Sequence, residues 1–248
     1  MRYLLIFMFF VGIFVVGKRS CNLNSHGFVF GPGIRGKGPV QTENRDIRDF
    51  HAIQLEVSAD VEVSVAETYF VEVQAQENLL PVLKTEVKDG ALKIYFDENV
   101  SYSESLKIRI SAPAFDAFSI GGSGTIRVVT PIQSEKMDLA IAGSGDIYLL
   151  QGDFGSLSTS IAGSGGIELG GKASSMKSEI AGSGDVKAKA LTASDLNVSI
   201  SGSGTVTCDV AQTLKAQISG SGDVFYSGTP TVDADVSGSG KVKKLGVQ

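Results

Sequence analysis

Apolar and polar residues alternate along most of the chain after position 50. The apolar positions of the first runs are Ile53, Leu55 and Val57; Val61, Val63 and Val65; Val71 and Val73; Leu92, Ile94 and Phe96; and Leu106, Ile108 and Ile110. A period of two predicts short β-strands that each bury one face. Residues 77–87 interrupt the pattern with Leu79, Leu80, Val82 and Leu83, which predicts a short helical turn or, as we favour, a loop that covers one end of the core.

The tripeptide Gly-Ser-Gly recurs seven times in the second half of the chain. It begins at Gly122, Gly143, Gly163, Gly182, Gly202, Gly220 and Gly238, with spacings of 21, 20, 19, 20, 18 and 18 residues. A nearly constant period of this size is typical of stacked supersecondary units. Glycine allows a positive φ and close backbone approach, so we interpret these glycines as structural turns at one corner.

Each repeat contains two alternating segments. The second residue after each tripeptide is Ile126, Ile147, Ile167, Val186, Val206, Val224 or Val242, and runs such as Met137-Leu139-Ile141 and Leu196-Val198-Ile200 precede the next tripeptide. We therefore predict two strands per repeat, each paired in parallel and in register with its counterpart one repeat away. The predicted fold is all-β, a parallel single-stranded β-helix (solenoid) with about 18–21 residues per repeat.

The same template extends towards the N-terminus. Residues 55–61 align with residues 141–147, preserving the apolar ends, the serine and the aspartate. We predict that residues 41–117 are an irregular, β-rich first part of the solenoid that residues 118–248 continue as Gly-Ser-Gly repeats.

The N-terminus indicates export. Arg2 precedes an apolar run from Tyr3 to Val16, which has the length of a signal-peptide core, so residues 1–20 are predicted to be a signal peptide. Cys21 is the candidate for lipidation, although Lys18 and Arg19 depart from the usual cleavage box. Ordinary cleavage nearby and a retained anchor remain the alternatives. Residues 21–40 are rich in glycine and proline and predict a flexible tether.

Composition and charge exclude several functions. The chain has 248 residues and a formal net charge of -5, and no concentrated basic patch is present to bind nucleic acid. Asp146, Asp185 and Asp223 follow three of the tripeptides, but calcium-binding glycine-aspartate repeats have a period of about nine residues. We therefore interpret these aspartates as turn-stabilising and predict no metal and no cofactor.

Candidate catalytic groups are sparse. His26 and His51 lie outside the repeats, where Arg127 is the single arginine, and Asp233 and Asp235 are ordinary outward residues of one strand face. A Ser-His-Asp site built on His51 is the alternative to a solvated or locally hydrogen-bonded histidine. We predict no enzymatic activity and no catalytic residues. Outward apolar side chains are the remaining candidates for a binding surface, or for packing under a neighbouring loop: Tyr148, Leu150 and Phe225, with Val129.

Several segments together resemble the head GIN domain family of autotransporter-type adhesins. They are the Gly-Ser-Gly-Asp-Ile/Val repeats and the segments 50–53, 59–63 and 86–94, and the resemblance covers residues 40–240. It implies an exported all-β protein of a Gram-negative bacterium, often a lipoprotein, with adhesion as the proposed role. The family brings no accepted catalytic residues.

The sequence therefore predicts a non-enzymatic adhesin of the cell envelope, anchored in the outer membrane through Cys21 and facing the periplasm or the cell surface. Its ligand would be a glycan, a lipid or a protein. The alternative is a self-associating structural protein, a homo-oligomer whose open end strands stack, although Lys241, Lys243 and Lys244 in the last repeat would discourage stacking. A polysaccharide-degrading enzyme is the third class.

Overall fold

The computed structural model describes residues 33–102, 104 and 106–246. The predicted signal peptide, Cys21, His26 and most of the predicted tether lie outside these residues. Within the described part of the tether, Ile34–Arg35 (β1) pairs in parallel with Val100–Ser101 (β8), so this end of the segment is held against the folded chain. No helix that could cross a membrane occurs in the described part of the chain.

The described residues form strands joined by turns. The other strands are β2 Val40–Asn44, β3 Ala52–Leu55, β4 Ala59–Val65, β5 Phe70–Gln76, β6 Leu83–Lys88, β7 Ala91–Phe96, β9 Leu106–Ala112, β10 Ala117–Gly122, β11 Thr125–Val128, β12 Ile132–Gly143, β13 Asp146–Gly163, β14 Gly166–Gly182, β15 Asp185–Gly202, β16 Thr205–Gly220, β17 Asp223–Gly228, β18 Thr231–Gly238 and β19 Lys241–Lys244.

The N-terminal part mixes parallel and antiparallel pairs. β4 pairs in parallel with β9, and β9 continues through antiparallel β5 to antiparallel β2. On the neighbouring side, β3 pairs in parallel with β7, and β7 pairs antiparallel with β6. Residues 77–82 form turns, and Leu79 and Leu83 are fully buried. The segment predicted as a covering loop therefore covers part of the core, but its second half is strand β6.

From β10 onward every pairing is parallel, as predicted. β13 pairs with β14, β14 with β15 and β15 with β16, and the first glycine of each Gly-Ser-Gly lies opposite its counterpart in the next turn. The apolar columns predicted from the repeats are buried: Ile126, Ile147, Ile167, Val186, Val206 and Val224 are all at most 1% exposed. Only Val242, in the last turn, is partly buried. The β-solenoid is thus confirmed.

The two predicted strands of each repeat run together in the central turns. β13 and β15 are each continuous over 18 residues. Burial alternates along β13 except at residues 150–151 and 155–156, where two successive side chains leave the core. These breaks, with the Gly-Ser-Gly corner, divide the turn into three sides. The prediction of two strands per repeat is therefore wrong for these turns, because strand pairing continues on both sides of the breaks with only local register shifts, such as that between Leu149 and Gly152.

The first glycine of each tripeptide occupies a backbone conformation that other residues rarely adopt. Its φ lies between +127° and +138° at all seven corners. A Cβ at Gly182 would lie 2.3 Å from the carbonyl oxygen of Gly163 in the preceding turn. Positive φ and close approach therefore both require glycine here, as the repeats predicted.

The alignment of residues 55–61 with the repeats is confirmed by register. Leu55 pairs with Ile120, which pairs with Ile141, and Val61 pairs with Ile126, which pairs with Ile147. β3 and β4 therefore form one more turn below β10 and β11.

Candidate ligand-binding wall

In the strand that follows each Gly-Ser-Gly corner, every second side chain points outward. These outward side chains stack into columns from one turn to the next. We call the outward face of β9, β4, β11 and the first five residues of β13, β14 and β15 the Tyr148 wall. Its central column is Arg109, Glu62, Arg127, Tyr148, Glu168 and Lys187, each in register with the next. Because the spacing between strands is about 4.8 Å, successive side chains of this column are neighbours on adjacent strands.

Arg127 and Tyr148 form the centre of the wall. The guanidinium carbon of Arg127 lies 4.1 Å from the centroid of the Tyr148 ring. This cation–π contact orders both side chains. Among the described residues, no hydrogen bond or ion pair engages Arg127, so its N–H groups can donate to a ligand.

A groove lies on the Arg127 side of this pair. It has a volume of about 370 Å³ and is lined by Asp60, Glu62, Lys107, Arg109, Thr125 and Arg127. Arg109 forms an ion pair with Glu72, at 3.1 Å. The groove therefore offers charged groups of both signs.

A smaller groove lies on the Tyr148 side. Its volume is about 150 Å³, and Tyr148 forms part of its wall together with Asp146, Glu168, Asp185 and Lys187. Gly166 stands between Asp146 and Asp185 in their column, and a Cβ there would lie 2.6 Å from Asp146 Oδ1, so the glycine leaves room for the Asp146 carboxylate. Asp185 also accepts a hydrogen bond from the backbone N–H of Thr205, its neighbour on the next strand, at 3.1 Å.

Two apolar side chains lie exposed at the end of the wall. Val129 is 49% and Leu150 is 47% exposed. Val128 pairs with Leu149, so Val129 and Leu150 are neighbours on adjacent turns. Leu150 also follows Tyr148 by two residues and points to the same side of the strand.

Phe225 does not join this group. It belongs to the same column as Tyr148, but Glu168, Lys187 and Thr207 separate the two rings. Four strand spacings amount to about 19 Å. The structure therefore brings together Tyr148 and Leu150 of the predicted surface residues and leaves Phe225 apart.

The other groups considered for chemistry are isolated. His51 Nδ1 lies 2.8 Å from Asp116 Oδ1, and no serine hydroxyl within the described ranges bonds to this histidine. Cys208 is buried, and burial raises the pKa of its thiol to about 12. No group of three His, Cys, Asp or Glu side chains that could hold a metal occurs within residues 33–102, 104 and 106–246.

The contact between Arg127 and Tyr148 was missed from sequence, although the signal was present. Both residues are five positions after the first glycine of their tripeptides, and Val129 and Leu150 are both seven positions after it. Aligning turns by the corner glycine would have placed each pair side by side. Glu62, Arg109 and Gly166 could be recognised as part of the site only from the three-dimensional pairing of the strands.

Solved structures of similar fold were found over nearly the whole described chain. A putative adhesin from Bacteroides fragilis is 23% identical, with a TM-score of 0.79 over 86% of this chain and 100% of that one. A putative lipid binding protein from Parabacteroides distasonis is 28% identical, with a TM-score of 0.74 over 86% and 99% of the two chains. A putative adhesin from Parabacteroides merdae is 22% identical, with a TM-score of 0.70 over the same shares.

No curated protein matched the sequence. The family model described as "Putative auto-transporter adhesin, head GIN domain" matches residues 49–230. This match spans the mixed N-terminal strands and six of the seven corners, so the chain belongs to the head GIN domain family of putative auto-transporter adhesins.

Proposed function

We propose that this chain is a non-enzymatic adhesin of the cell envelope that binds carbohydrate through the Tyr148 wall. Membership of an adhesin family supports surface attachment in general. The observation that carries the choice of ligand is the Arg127–Tyr148 pair between two polar grooves. An aromatic ring beside carboxylates and cations matches the alternating apolar faces and hydroxyl groups of a sugar chain.

The two grooves have different roles in this proposal. One face of the Tyr148 ring is covered by Arg127, so a sugar ring would stack from the smaller groove. Asp146, Glu168 and Asp185 there accept hydrogen bonds from hydroxyl groups. The larger groove, with Arg109 and Arg127, suits the next residue of the chain, particularly one with a carboxylate or sulfate.

The test is glycan-array binding by the purified protein, followed by titration with the best glycan. We expect Tyr148→Ala to weaken binding by about tenfold or more, because an aromatic anchor in a binding site is worth more than 1.4 kcal/mol. Phe225→Ala is the matched control, since Phe225 belongs to the same column about 19 Å away, and it should bind as the unchanged protein does. Absence of binding to any glycan, or equal loss in both variants, would exclude the wall as a carbohydrate site.

Lipid is the second candidate, because Val129 and Leu150 are exposed together. The relative from Parabacteroides distasonis that is named as lipid binding agrees with this alternative. Flotation with vesicles of phosphatidylethanolamine and phosphatidylglycerol separates the two candidates. Loss of flotation in Leu150→Ser, with glycan binding absent, would favour lipid.

The envelope location rests on the proposed lipidation of Cys21. Replacement by serine removes the thiol that is acylated and should move the protein from the membrane fraction to the soluble fraction. Unchanged fractionation of Cys21→Ser would contradict the lipoprotein anchor and leave ordinary cleavage or a retained anchor.

A further inference from the structure

The last turn of the solenoid leaves one backbone edge open. β18 pairs with β16 and β19 pairs with β17, and no strand of the described chain pairs with their other edges. Val232 and Val236 continue the core columns of Leu214 and Ile218. They are 39% and 37% exposed, against 0% and 3% for the residues below them. An open edge with exposed apolar side chains is a template for another chain.

The free hydrogen-bonding groups of this edge follow from the pairing below it. Ser239 N donates to Gly220 O at 2.9 Å, and Lys241 N donates to Gly222 O at 3.3 Å. At the corner itself Gly240 N also donates to Gly220 O, at 3.2 Å. In an earlier turn Asp138 N, five residues before its corner glycine as Asp233 is, donates to Asp116 O of the turn below, at 2.8 Å. Because backbone groups alternate in direction along a strand, the odd-numbered residues of β18 and β19 face the previous turn. The even-numbered residues of β18 and β19, including Val236 and Val242, therefore direct their N–H and C=O groups to the open side.

The two halves of the edge carry opposite charges. Asp233 and Asp235 alternate with the inward residues of β18, and Lys241 and Lys243 alternate with those of β19. The Gly-Ser-Gly corner centred on Ser239 lies between them. β18 is thus an acidic edge and β19 a basic one, joined at a single bend.

We propose that this end is a docking site for a second copy of the chain, related by a two-fold axis through Ser239. Rotation about an axis that bisects the corner lays β18 of one copy antiparallel along β19 of the other. The register is fixed by the axis. It places Val236 opposite the partner's Val242 and Asp235 opposite the partner's Lys243.

Hydrogen bonding and charge agree with this register. Val236 and the partner's Val242 both direct their backbone groups to the open side, so they form a hydrogen-bonded pair. Asp235 and the partner's Lys243 form the neighbouring non-hydrogen-bonded pair, in which side chains are closest and opposite charges attract. Pairing two copies of β18 about Ala234 would instead place Asp233 opposite the partner's Asp235, which is repulsive.

The contact is closed, because the same surface is used on both copies. It therefore gives a dimer and leaves no acceptor for a filament. Lys243, one of the lysines that were expected to discourage stacking, becomes the counter-charge of the partner's Asp235. The site lies at the end of the solenoid and does not involve the grooves beside Tyr148, so it stands independently of the proposed ligand.

A charge exchange tests the proposal in sedimentation equilibrium of the purified full chain. We expect a concentration-dependent dimer, and we expect Asp235→Lys or Lys243→Asp alone to raise its dissociation constant by about tenfold or more. The double variant restores the attraction with reversed signs and should return to within about threefold of the unchanged protein. Lys187→Asp, three turns back in the column of Lys243, is the control and should dimerise normally.

A disulfide test locates the axis. Ser239→Cys places two thiols at the axis and should cross-link under mild oxidation. Ser221→Cys, at the corner one turn earlier, holds its thiols about 10 Å farther apart and should not. A monomer at every concentration, filaments, a dimer that ignores the charge changes, or equal cross-linking at both positions would each overturn the proposal.

Discussion

At the scale of single residues, the corner glycines have the least freedom to change. Gly182 combines a φ of +130° with a Cβ position 2.3 Å from the oxygen of Gly163. We expect Gly182→Ala to lower the free energy of unfolding by about 3 kcal/mol or more. The cost of the strained backbone adds to the cost of displacing the strand that carries Gly163. Urea unfolding measures this. Ser183→Ala, at the exposed next position of the same corner, should change stability by less than about 0.5 kcal/mol, and equal effects of the two changes would contradict the argument.

Ser178 is a polar residue in the apolar core. Its side chain is 0% exposed, and its hydroxyl has no hydrogen-bond partner among the described residues. Burying an unpaired hydroxyl costs about 1–3 kcal/mol, so Ser178→Ala should keep or raise stability, by up to about 1 kcal/mol after the small loss of packing. Thermal unfolding followed by circular dichroism checks this. A clear loss of stability would mean that the hydroxyl is bonded in solution.

Cys208 makes stability depend on alkaline pH. Burial, aided by the charge of Asp209, raises the pKa of its thiol from 9.0 to about 12. Above pH 9 the unfolded thiol loses its proton while the folded thiol keeps it, so unfolding releases a proton and becomes easier as pH rises. We expect stability to fall by about 1.4 kcal/mol per pH unit between pH 9 and 12 from this group. Urea unfolding of Cys208→Ala across that range should lose this component, and an unchanged slope would refute it.

At the scale of elements, the contribution of an apolar side chain to the free energy of unfolding depends on the turn that contains it. Ile180 and Val236 belong to one core column, but Ile180 lies between two turns and is 2% exposed, whereas Val236 is 37% exposed in the last turn. We expect Ile180→Ala to cost about 3–4 kcal/mol and Val236→Ala less than about 1 kcal/mol. Urea unfolding at low protein concentration, where association is minimal, measures both. Similar costs would show that the last turn is covered in solution.

Much of each turn was predictable because two constraints repeat without change. The corner requires glycine, and the residues four positions after its first glycine and two positions before it are always apolar, as Ile147 and Ile161 illustrate. The segment between them varies in length, and the register shifts of the ladder fall there, as between Leu149 and Gly152. Because this segment tolerates bulges, its residues have no fixed spacing in the sequence. The positions at which the chain bends there could therefore not be predicted.

Most of the mixed N-terminal strands were predictable as strands but not as pairs, whereas β6 lies in the segment that was predicted as a covering loop and does not alternate in burial. β5 has the same alternation as the parallel strands, and nothing in that alternation distinguishes an antiparallel neighbour. The same limit applied to the site. Tyr148 and Leu150 were identified as outward residues, but Arg109 and Glu62 reach the wall through the pairing of β4 with β9.

At the scale of the whole molecule, each turn contacts mainly the turns above and below it. β14 pairs with β13 and β15, and β15 pairs with β14 and β16. The stability of such an array is approximately a sum of turns and interfaces between neighbours. The number of turns is therefore less constrained than the alignment of the columns.

Deleting one complete turn tests this independence. Removal of residues 185–204 joins Gly184 to Thr205 and places β14 against β16, so that Ile167 meets Val206, Met176 meets Leu214 and Ile180 meets Ile218. The columns stay aligned and each remaining turn keeps its Gly-Ser-Gly corner, so we expect a folded protein with a β-sheet circular dichroism spectrum and a moderately lower melting temperature. Removal of residues 185–194 alone deletes half a turn and places no glycine at the next corner, so this chain should fail to form the solenoid. Equal behaviour of the two deletions would show that the turns are coupled over longer distances than nearest-neighbour stacking allows.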